Sequence, residues 1–477
     1  KLLTGMKDLG GGGLSCVVGE LALDGGFGAM VDLEKVHLKV DNMPPWEIWV
    51  SESQERMMFT VTSENVDKVL ARCEAWDVEA VTIGKVISEK RNIVKYNGIE
   101  ILNLDLDFTT GGPVYRRPYN LPEYDIGKAT PLPEYPSDIS NQIIDVISQP
   151  EVASKDWVIR QYDHEVRGKT VLKPIQGPIG KDVPGDSSVL KPVDNSWKGL
   201  ALTSDVNPYL MEANPYHGTM SAVEEVCRNL ASVGARIDSL ADCLCFGNPR
   251  RPDIMGQFRA SCEALRDAAT AVDVPYVSGN VSLYNETSDG AIPPTPVLMG
   301  IGLVEDIRKC VTSDMKKEGT IWLVGQTKNE MGASLYYRTL GLECPNVPNT
   351  DFETFMPRME QLIQAIENGE VVACHDISTG GLALSIIEMC MSGIGAKIEL
   401  ASDLRADIEL FSETNGRWIV QVRSGCENDF ERRFDFAVKI GDINDRMIFT
   451  KNGKEISNFE IEKLRNDWTS PIWDRLA

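Results

Sequence analysis

The chain has 477 residues, 42% of them hydrophobic and 25% charged, which is typical of a globular protein with room for two to four domains. Its formal net charge of −23 argues against a nucleic-acid-binding surface, because such a surface needs clustered lysine and arginine. The sequence contains no signal peptide and no apolar run of about 18 residues. We therefore expect a cytoplasmic protein with neither nucleic acid nor membrane as a partner.

The first predicted unit covers residues 1–112 and opens on a glycine cluster. Asp8 precedes the glycines at 10–13, and an apolar-periodic stretch after them predicts a helix to Leu23. Strands are predicted at 29–33 and 57–61, and a helix at 63–76. The chain begins with Lys1 rather than Met and enters the glycine cluster at once. We therefore expect its natural N-terminus to be missing.

Residues 113–137 contain six prolines and predict an extended linker. The second predicted unit, 138–292, includes a strand at 198–205 that ends on Asp205, and an earlier turn that carries Asp186. Ser221 and Glu224 have the spacing of a capping box and predict the start of a helix that runs to about residue 233. A second helix is predicted at 254–271.

The stretch at 277–286 is the strongest candidate site in the sequence. It follows an apolar run at 274–277 that predicts a buried strand, so we expect it to lie where that strand ends. Gly279 would let a ligand approach the backbone closely. The residues around it with oxygen-bearing side chains are Asn280, Ser282, Asn285 and Glu286. Such a set suits phosphate and a hard cation such as Mg²⁺, although a polar turn has the same composition.

The third predicted unit, 293–477, resembles the first. It is predicted to begin with a strand at 297–304 and a helix at 330–340. Residues 375–382 then match 7–14, so that Asp8 aligns with Asp376, and Glu20 aligns with Glu388. The stretch 51–56 aligns with 412–417, and 83–86 aligns more loosely with 440–443. These ordered matches predict a duplicated α/β domain.

Acidic residues near glycines or strand ends favour magnesium with a nucleotide over zinc, because histidine and cysteine are not paired among them. Any one of these acids can equally be a cap or a turn residue. This set consists of Asp8, Asp186, Asp205, Asp242 and Asp376. Residues 167–170 do not form a P-loop, because Asp163 stands where that motif needs glycine. The eleven cysteines predict reduced thiols, and Cys243-x-Cys245 lacks the usual zinc or redox spacing.

Five long motifs, in family order, resemble phosphoribosylformylglycinamidine synthase of the small PurL type, in the AIR synthase superfamily. They are residues 7–14, 51–56, 160–166, 242–249 and 278–286. The resemblance runs from end to end of the chain. It implies an α/β (α+β) fold of duplicated architecture, in which a barrel-forming B-type unit at 138–292 is flanked by A-type units. Residues 1–112 would be the back half of the first A-type unit, and 293–477 the second.

The resemblance also implies an activity. The family uses ATP to activate the amide oxygen of formylglycinamide ribonucleotide as an iminophosphate, which ammonia from glutamine displaces to give the amidine. It implies ATP contacts at Asp242 and Gly279 and magnesium ligands at Asp8 and Asn280. Substrate contacts would be Ser282 and the run Glu52, Ser53 and Gln54. Asp186, Asp205 and Asp376 resemble positions of a second, pseudo-symmetric nucleotide or metal site.

The family's catalytic histidine would lie upstream of Lys1, so the resemblance leaves the catalytic residue of this chain unknown. We expect an incomplete part of the enzyme, able to associate with a second copy or with the missing N-terminal part. A glutaminase subunit and a small bridging subunit are the further expected partners. Two alternatives stay open: a non-catalytic nucleotide-binding or scaffold subunit, and another ATP enzyme of the superfamily.

Overall fold

The computed structural model describes residues 2–112, 114–122, 130–344 and 346–476. It separates into two compact units, Lys1–Arg116 and Arg117–Ala477, and each is described by itself. Helices and strands occur in both units, so the predicted α/β class is confirmed. Within the described ranges, none of the helices combines the length and the apolar character that a bilayer crossing requires.

In the first unit, helices and strands alternate along the chain. The strands are β1 (Leu3–Asp8), β2 (Gly28–Asp32), β3 (Met57–Val61), β4 (Gly84–Ile87), β5 (Arg91–Tyr96) and β6 (Ile99–Asp105). The helices are α1 (Leu14–Asp24), α2 (Pro45–Val50), α3 (Val66–Glu74) and α4 (Leu106–Gly111). Strand β1 pairs with β3, and a four-stranded sheet has the order β4-β2-β5-β6. The helix predicted after the glycines and the strand at 57–61 are both confirmed.

The apolar face of α1 explains why this segment is helical. Leu14, Val17 and Val18 recur at helical spacing and are buried, together with Val31 of β2 and Val94 of β5. The segment predicted as a helix over 63–76 is a 3₁₀ turn, Ser63–Asn65, followed by α3. Residues 114–122 and 130–137 contain neither helix nor strand, while residues 113 and 123–129 of the predicted linker lie outside the described residues.

The second unit begins with a part built around one six-stranded sheet. Its helices are α5 (Ile139–Ile147), α6 (Asp156–Ile159), α7 (Pro208–Ala213), α8 (Pro215–Ser232) and α9 (Pro252–Val272). Its strands are β7 (Thr170–Leu172), β8 (Ile175–Gln176), β9 (Val183–Pro184), β10 (Ser188–Leu190), β11 (Gly199–Asp205), β12 (Arg236–Cys245), β13 (Tyr276–Ser282), β14 (Glu286–Thr287), β15 (Gly290–Ala291) and β16 (Thr295–Val304). The sheet order is β13-β12-β16-β11-β10-β7. The strand predicted to end on Asp205 and the helix predicted at 254–271 are confirmed as β11 and α9.

Two strand predictions need correction. The strand predicted at 297–304 as the start of the third unit is β16, which lies in the middle of the six-stranded sheet between β12 and β11. The motif at 278–282 does not follow a buried strand but is itself part of β13. Because β13 is the edge strand and pairs only with β12 among the described strands, most of its residues are exposed.

The predicted capping box at Ser221 and Glu224 is also wrong. Helix α8 begins six residues earlier at Pro215, and the side chain of Asn214 accepts a hydrogen bond from the His217 amide at 3.0 Å. Proline at the first helical position after an asparagine cap is a strong start signal. Ser221 and Glu224 therefore lie inside a helix that is buried on nearly every side between the sheet and the rest of the unit.

The remainder of the second unit is built on a seven-stranded sheet with the order β18-β20-β17-β21-β19-β22-β23. Its strands are β17 (Thr320–Val324), β18 (Val371–Asp376), β19 (Gly395–Leu400), β20 (Trp418–Val422), β21 (Ala437–Asn444), β22 (Met447–Lys451) and β23 (Lys454–Phe459). Its helices are α10 (Leu335–Thr339), α11 (Phe352–Glu367), α12 (Gly381–Cys390), α13 (Ala406–Phe411), α14 (Glu427–Arg433) and α15 (Ile461–Leu476). The helix predicted at 330–340 is shorter, because residues 329–333 form a loop and Ser334 caps α10.

The predicted duplication is confirmed by strand pairing within each unit. Strands β1 and β3 pair as β18 and β20 do, with Asp8 opposite Met57 and Asp376 opposite Trp418. The order β4-β2-β5-β6 repeats as β21-β19-β22-β23. In the second unit β17 joins these two groups of strands, and no described strand of the first unit occupies the corresponding place.

Candidate functional site

A glycine turn between a strand and a helix occurs once in each copy of the repeat. In the first unit the amide of Gly12 donates to Oε1 of Glu52 at 2.8 Å. In the second unit the amide of Gly380 donates to Oε1 of Glu413 at 2.9 Å. The next glycine in each turn also has a positive φ, 56° at Gly13 and 66° at Gly381. A Cβ at Gly13 would overlap a backbone carbonyl oxygen, so the turn needs glycine at this point.

An arginine closes the carboxylate loop in the same way in both copies. Arg56 donates from Nε to the carbonyl of Ser53 at 2.8 Å and from Nη2 to that of Ser51 at 2.5 Å. In the second copy Arg417 donates to the carbonyls of the residues three and five positions before it, Thr414 at 2.8 Å and Ser412 at 2.6 Å. Each loop is therefore fixed by its own arginine, which leaves the loop's polar side chains at defined positions.

In the first unit the structure brings Asp8 and the Glu52–Gln54 run to the same glycine turn. Asp8 ends β1 with an exposed side chain, and a Cβ at Gly10 would lie 3.6 Å from its Oδ2. Glu52 is engaged by the Gly12 amide, and Gln54 donates to the Glu52 carbonyl at 2.9 Å. The hydroxyl of Ser53 lies 3.1 Å from that of Ser51. Asp8 therefore keeps an exposed carboxylate beside exposed backbone amides, an arrangement that suits a cation or a phosphate-bearing ligand.

In the second unit Asp242 and Gly279 lie opposite each other on the paired strands β12 and β13. A Cβ at residue 279 would lie only 2.9 Å from Oδ1 of Asp242, so any side chain there would displace the carboxylate. Burial raises the pKa of Asp242, and a hydrogen bond from the Asn280 backbone opposes the rise. The glycine and the carboxylate thus form one small recess at the sheet edge.

Asn280 and Ser282 lie on the opposite face of the same strand, because side chains alternate along β13. The Asn280 amide is exposed and donates to the Cys243 sulfur at 3.5 Å. Of the other oxygen-bearing residues in the motif, Asn285 donates to the Phe246 carbonyl at 3.1 Å, and Glu286 accepts from the Asn248 amide at 3.2 Å. These two side chains hold the loop after β13, and Asn285 also donates to the half-buried Ser282 hydroxyl at 3.1 Å. The exposed Asn280 side chain is the most accessible to a ligand.

The acids predicted for a second site lie deep in the second unit. Oδ1 of Asp186 is 2.6 Å from Nδ1 of His375, and Oε2 of Glu388 is 3.1 Å from its Nε2. Burial would lower the pKa of His375, but the Asp186 and Glu388 carboxylates outweigh it and raise the pKa well above its ordinary range. Asp186, His375 and Asp376 bring ligand atoms within 4.8 Å of one another, a group that can hold a metal ion.

Arg228 of α8 supplies a second protein cation to this network. Its guanidinium contacts Asp376 at 3.1 Å and Glu225 at 3.2 Å, and it also pairs with Glu224. Burial raises the pKa of Asp205 to about 7 against the opposing charge of Arg228, and its buried Oδ2 has no hydrogen-bond partner among the described residues. A metal ion here would compete with two protein cations for the same oxygens.

Arg228 and the role of Glu388 were not predicted from the sequence. Arg228 could have been found from its position four residues after Glu224, because residues at this spacing on a helix form ion pairs. The role of Glu388 could have been found from the repeat. Lys7 pairs with Glu20 at 2.9 Å, and these two residues align with His375 and Glu388. The aligned positions thus carry an ion pair in both copies.

Comparisons with known proteins agree with this duplicated fold. Residues 1–97 and 316–449 match the model of the AIR synthase related protein, C-terminal domain. Residues 184–304 match the model of the AIR synthase related protein, N-terminal domain. The second match ends with β16, the strand that the structure assigns to the six-stranded sheet.

Curated relatives place the chain more closely. It is 36% identical over 474 residues to the phosphoribosylformylglycinamidine synthase subunit PurL of Thermoplasma acidophilum, covering 98% of this chain and 62% of the relative. It is 40% identical over 468 residues to that of Thermococcus sibiricus, covering 96% of this chain and 63% of the relative. The chain is therefore similar to PurL over nearly its whole length. It spans under two thirds of the length of these family members.

Solved structures of the family show the same fold. T. maritima PurL complexed with ATP superposes with a TM-score of 0.65 at 22% identity, covering 93% of this chain and 64% of that one. T. maritima PurL complexed with FGAR superposes with a TM-score of 0.62 at 23% identity, covering 93% and 62%. The predicted AIR synthase-like architecture is therefore confirmed for this chain.

Proposed function

We propose that this chain is part of an enzyme that uses ATP to convert formylglycinamide ribonucleotide to the amidine, with ammonia derived from glutamine. The observation that carries the proposal is the recess of Asp242 and Gly279 on one face of the β12–β13 edge, with the exposed Asn280 and the half-buried Ser282 on the other face of the same edge. The family names and the ATP and FGAR complexes of T. maritima PurL support the same assignment.

The chemistry follows from the types of donor at this edge. The Asp242–Gly279 recess would contact ATP, where the bare glycine backbone admits the nucleotide. Ser282 in the second unit is proposed as a substrate contact, and the Glu52–Gln54 run is proposed separately as a substrate contact of the first unit. ATP would transfer its terminal phosphoryl group to the amide oxygen, which makes the amide carbon electrophilic and the oxygen a good leaving group. Ammonia would then displace phosphate from this iminophosphate.

Asp8 in the first unit and Asn280 in the second are each proposed as a magnesium ligand, because each has an exposed side chain. Both offer hard oxygen donors, and no ion pair is recorded for the Asp8 carboxylate within the described residues. Magnesium would neutralise charge on the phosphoryl group. We also propose that Asp186, Asp205 and Asp376 mark the second nucleotide or metal site, supported by the clustered ligand atoms and the unpaired oxygen of Asp205.

The same proposal includes the partners. A glutaminase subunit would supply ammonia, and a small bridging subunit would join it to this protein; one solved structure is described as PurLQS from Thermotoga maritima. A second copy, or the polypeptide that carries the rest of the family's length, would complete the assembly. The cytoplasm is the proposed location. The proposed domain limits are 1–112 and 113–137 as expected from the sequence. The expected limits 138–292 and 293–477 become 138–304 and 305–477, because β16 belongs to the six-stranded sheet.

The experiment that tests the function is a turnover assay on purified material whose polypeptides are first identified by intact mass. The full assembly should release ADP only when Mg-ATP, formylglycinamide ribonucleotide and ammonia are all present. With substrate labelled by ¹⁸O in the amide, the label should appear in inorganic phosphate. Nucleotide binding without substrate-dependent ADP release by the complete assembly would contradict the proposal and favour a scaffold role.

A further inference from the structure

Two thiols lie side by side on the exposed face of β12. Cys243 and Cys245 are two residues apart on a strand, so their side chains point to the same face of the sheet. Their sulfur atoms are 3.7 Å apart, and both side chains are partly exposed. Asn280 of the neighbouring strand donates to the Cys243 sulfur at 3.5 Å. Neither thiol has a place in the proposed reaction.

The spacing of the sulfurs matches chelation of a tetrahedral ion. Two thiolates, each about 2.3 Å from a tetrahedral metal ion, lie about 3.8 Å from each other. The observed separation of 3.7 Å therefore needs almost no rearrangement. A disulfide fits less well, since residues two apart on a strand have Cα atoms about 6.7 Å apart. That distance is at the upper end of the range for disulfides, about 4.4–6.8 Å, and the side chains run parallel instead of converging.

We propose that Cys243 and Cys245 chelate a thiophilic d¹⁰ cation such as Zn²⁺ or Cd²⁺. Soft thiolates select such ions over magnesium, so the site is chemically distinct from the oxygen donors of Asn280 and Asp8. Binding breaks both S–H bonds, forms two metal–sulfur bonds and releases two protons to solvent. Only two protein sulfurs take part, so water completes the coordination and the ion exchanges readily.

The location of the thiols gives this site a consequence for the neighbouring strand. A bound cation takes as a ligand the Cys243 sulfur that accepts from the Asn280 amide. It also places positive charge beside Asn280, where the proposed function requires magnesium. Thiophilic ions should therefore weaken magnesium binding at this edge. Only this consequence rests on the proposed function; the chelation itself does not.

The test is titration of the reduced, metal-free protein with Cd²⁺, followed by the ultraviolet charge-transfer band from sulfur to cadmium. The wild type should show a component with one cadmium for two sulfurs. The Cys243→Ser and Cys245→Ser variants should each bind this cadmium at least tenfold more weakly, and the double variant should lose the component. Cys73→Ser is the matched control, because Cys73 is also partly exposed and no second thiol is recorded beside it in the described residues. An unchanged component in the double variant would overturn the proposal.

A second measurement needs no variant and so does not depend on how the variants fold. Phenylarsine oxide bridges pairs of close thiols, and peptide mass mapping of the native, reduced protein locates the bridge. The bridge should form within the peptide that contains Cys243 and Cys245. A bridge formed only at other cysteines, with these two remaining free, would equally overturn the proposal.

Discussion

The Glu413→Gln substitution should change how the stability of the second unit depends on pH. Glu413 is buried, and its Oε1 accepts hydrogen bonds from the Gly380 and Leu335 amides at 2.9 and 2.8 Å. Burial raises the pKa of this carboxyl to about 7, and the two amides oppose the rise. Glutamine keeps the accepting oxygen and cannot ionise, so it mimics the protonated acid.

The size of the effect follows from the pKa. A carboxyl whose pKa is higher in the folded than in the unfolded protein stabilises the fold below the unfolded pKa, and this contribution is lost as the pH rises through the folded pKa. Each pKa unit corresponds to about 1.4 kcal/mol, so a rise from about 4.5 to about 7 corresponds to about 3 kcal/mol. For a unit that spans Arg117–Ala477, this free energy shifts the Tm by about 4 °C.

Thermal unfolding of wild type and Glu413→Gln at about pH 5 and about pH 8 measures this effect. The Tm of the variant minus the Tm of the wild type should be about 4 °C larger at the higher pH than at the lower pH. Glu52→Gln is the matched control, because Glu52 makes the equivalent bond to Gly12 at 2.8 Å in an exposed loop of the first unit, and this change should leave the Tm of the second unit as in wild type. If Glu413→Gln and wild type changed in parallel over this range, the reasoning from burial would be refuted.

Three further predictions concern the two candidate sites. Arg228→Met leaves the buried carboxylates of Glu224 and Asp376 and the half-buried one of Glu225 without their cation. It should lower the free energy of unfolding by about 3–5 kcal/mol in denaturant titrations, with partial recovery when Glu224→Gln is added. Gly279→Ala places a Cβ 2.9 Å from Oδ1 of Asp242 and should raise the Kd for Mg-ATP at least about tenfold in calorimetry, with little change in Tm; an unchanged Kd would contradict the recess. Ser282→Ala removes one hydrogen bond of about 1 kcal/mol and should raise the KM for formylglycinamide ribonucleotide about fivefold, while the KM for ATP stays the same.

The duplication was the most predictable part of this fold. Aligned residues such as Asp8 and Asp376 share their strand position, and the carboxylates of Glu52 and Glu413 make the same bond to a glycine amide. Such features are local: a strand end, a turn that needs glycine, and a loop closed on itself. A short sequence therefore carries most of the information that specifies them.

Features that depend on distant neighbours could not be predicted in the same way. The burial of a strand depends on its place in the sheet, and nothing in residues 274–282 shows that β13 is an edge strand. The start of α8 was misplaced because Ser221 and Glu224 fit a cap locally, while Asn214 caps the helix and the tertiary fold buries both residues. The charge network around Arg228 joins residues up to 148 positions apart, so no local pattern reveals it.

The measurement that tests the central claim most directly is calorimetric titration of the protein with Mg-ATP, comparing wild type, Asn280→Ala and Asp205→Asn. Asn280 is an exposed residue of the β12–β13 edge, whereas asparagine at 205 mimics the protonated acid of the buried network. Asn280→Ala should lose one magnesium-dependent equivalent of bound ATP, or bind it at least about tenfold more weakly than the wild type. Asp205→Asn should bind this equivalent of ATP as tightly as the wild type does. Unaltered stoichiometry and affinity in Asn280→Ala would contradict the assignment of the nucleotide site to this edge.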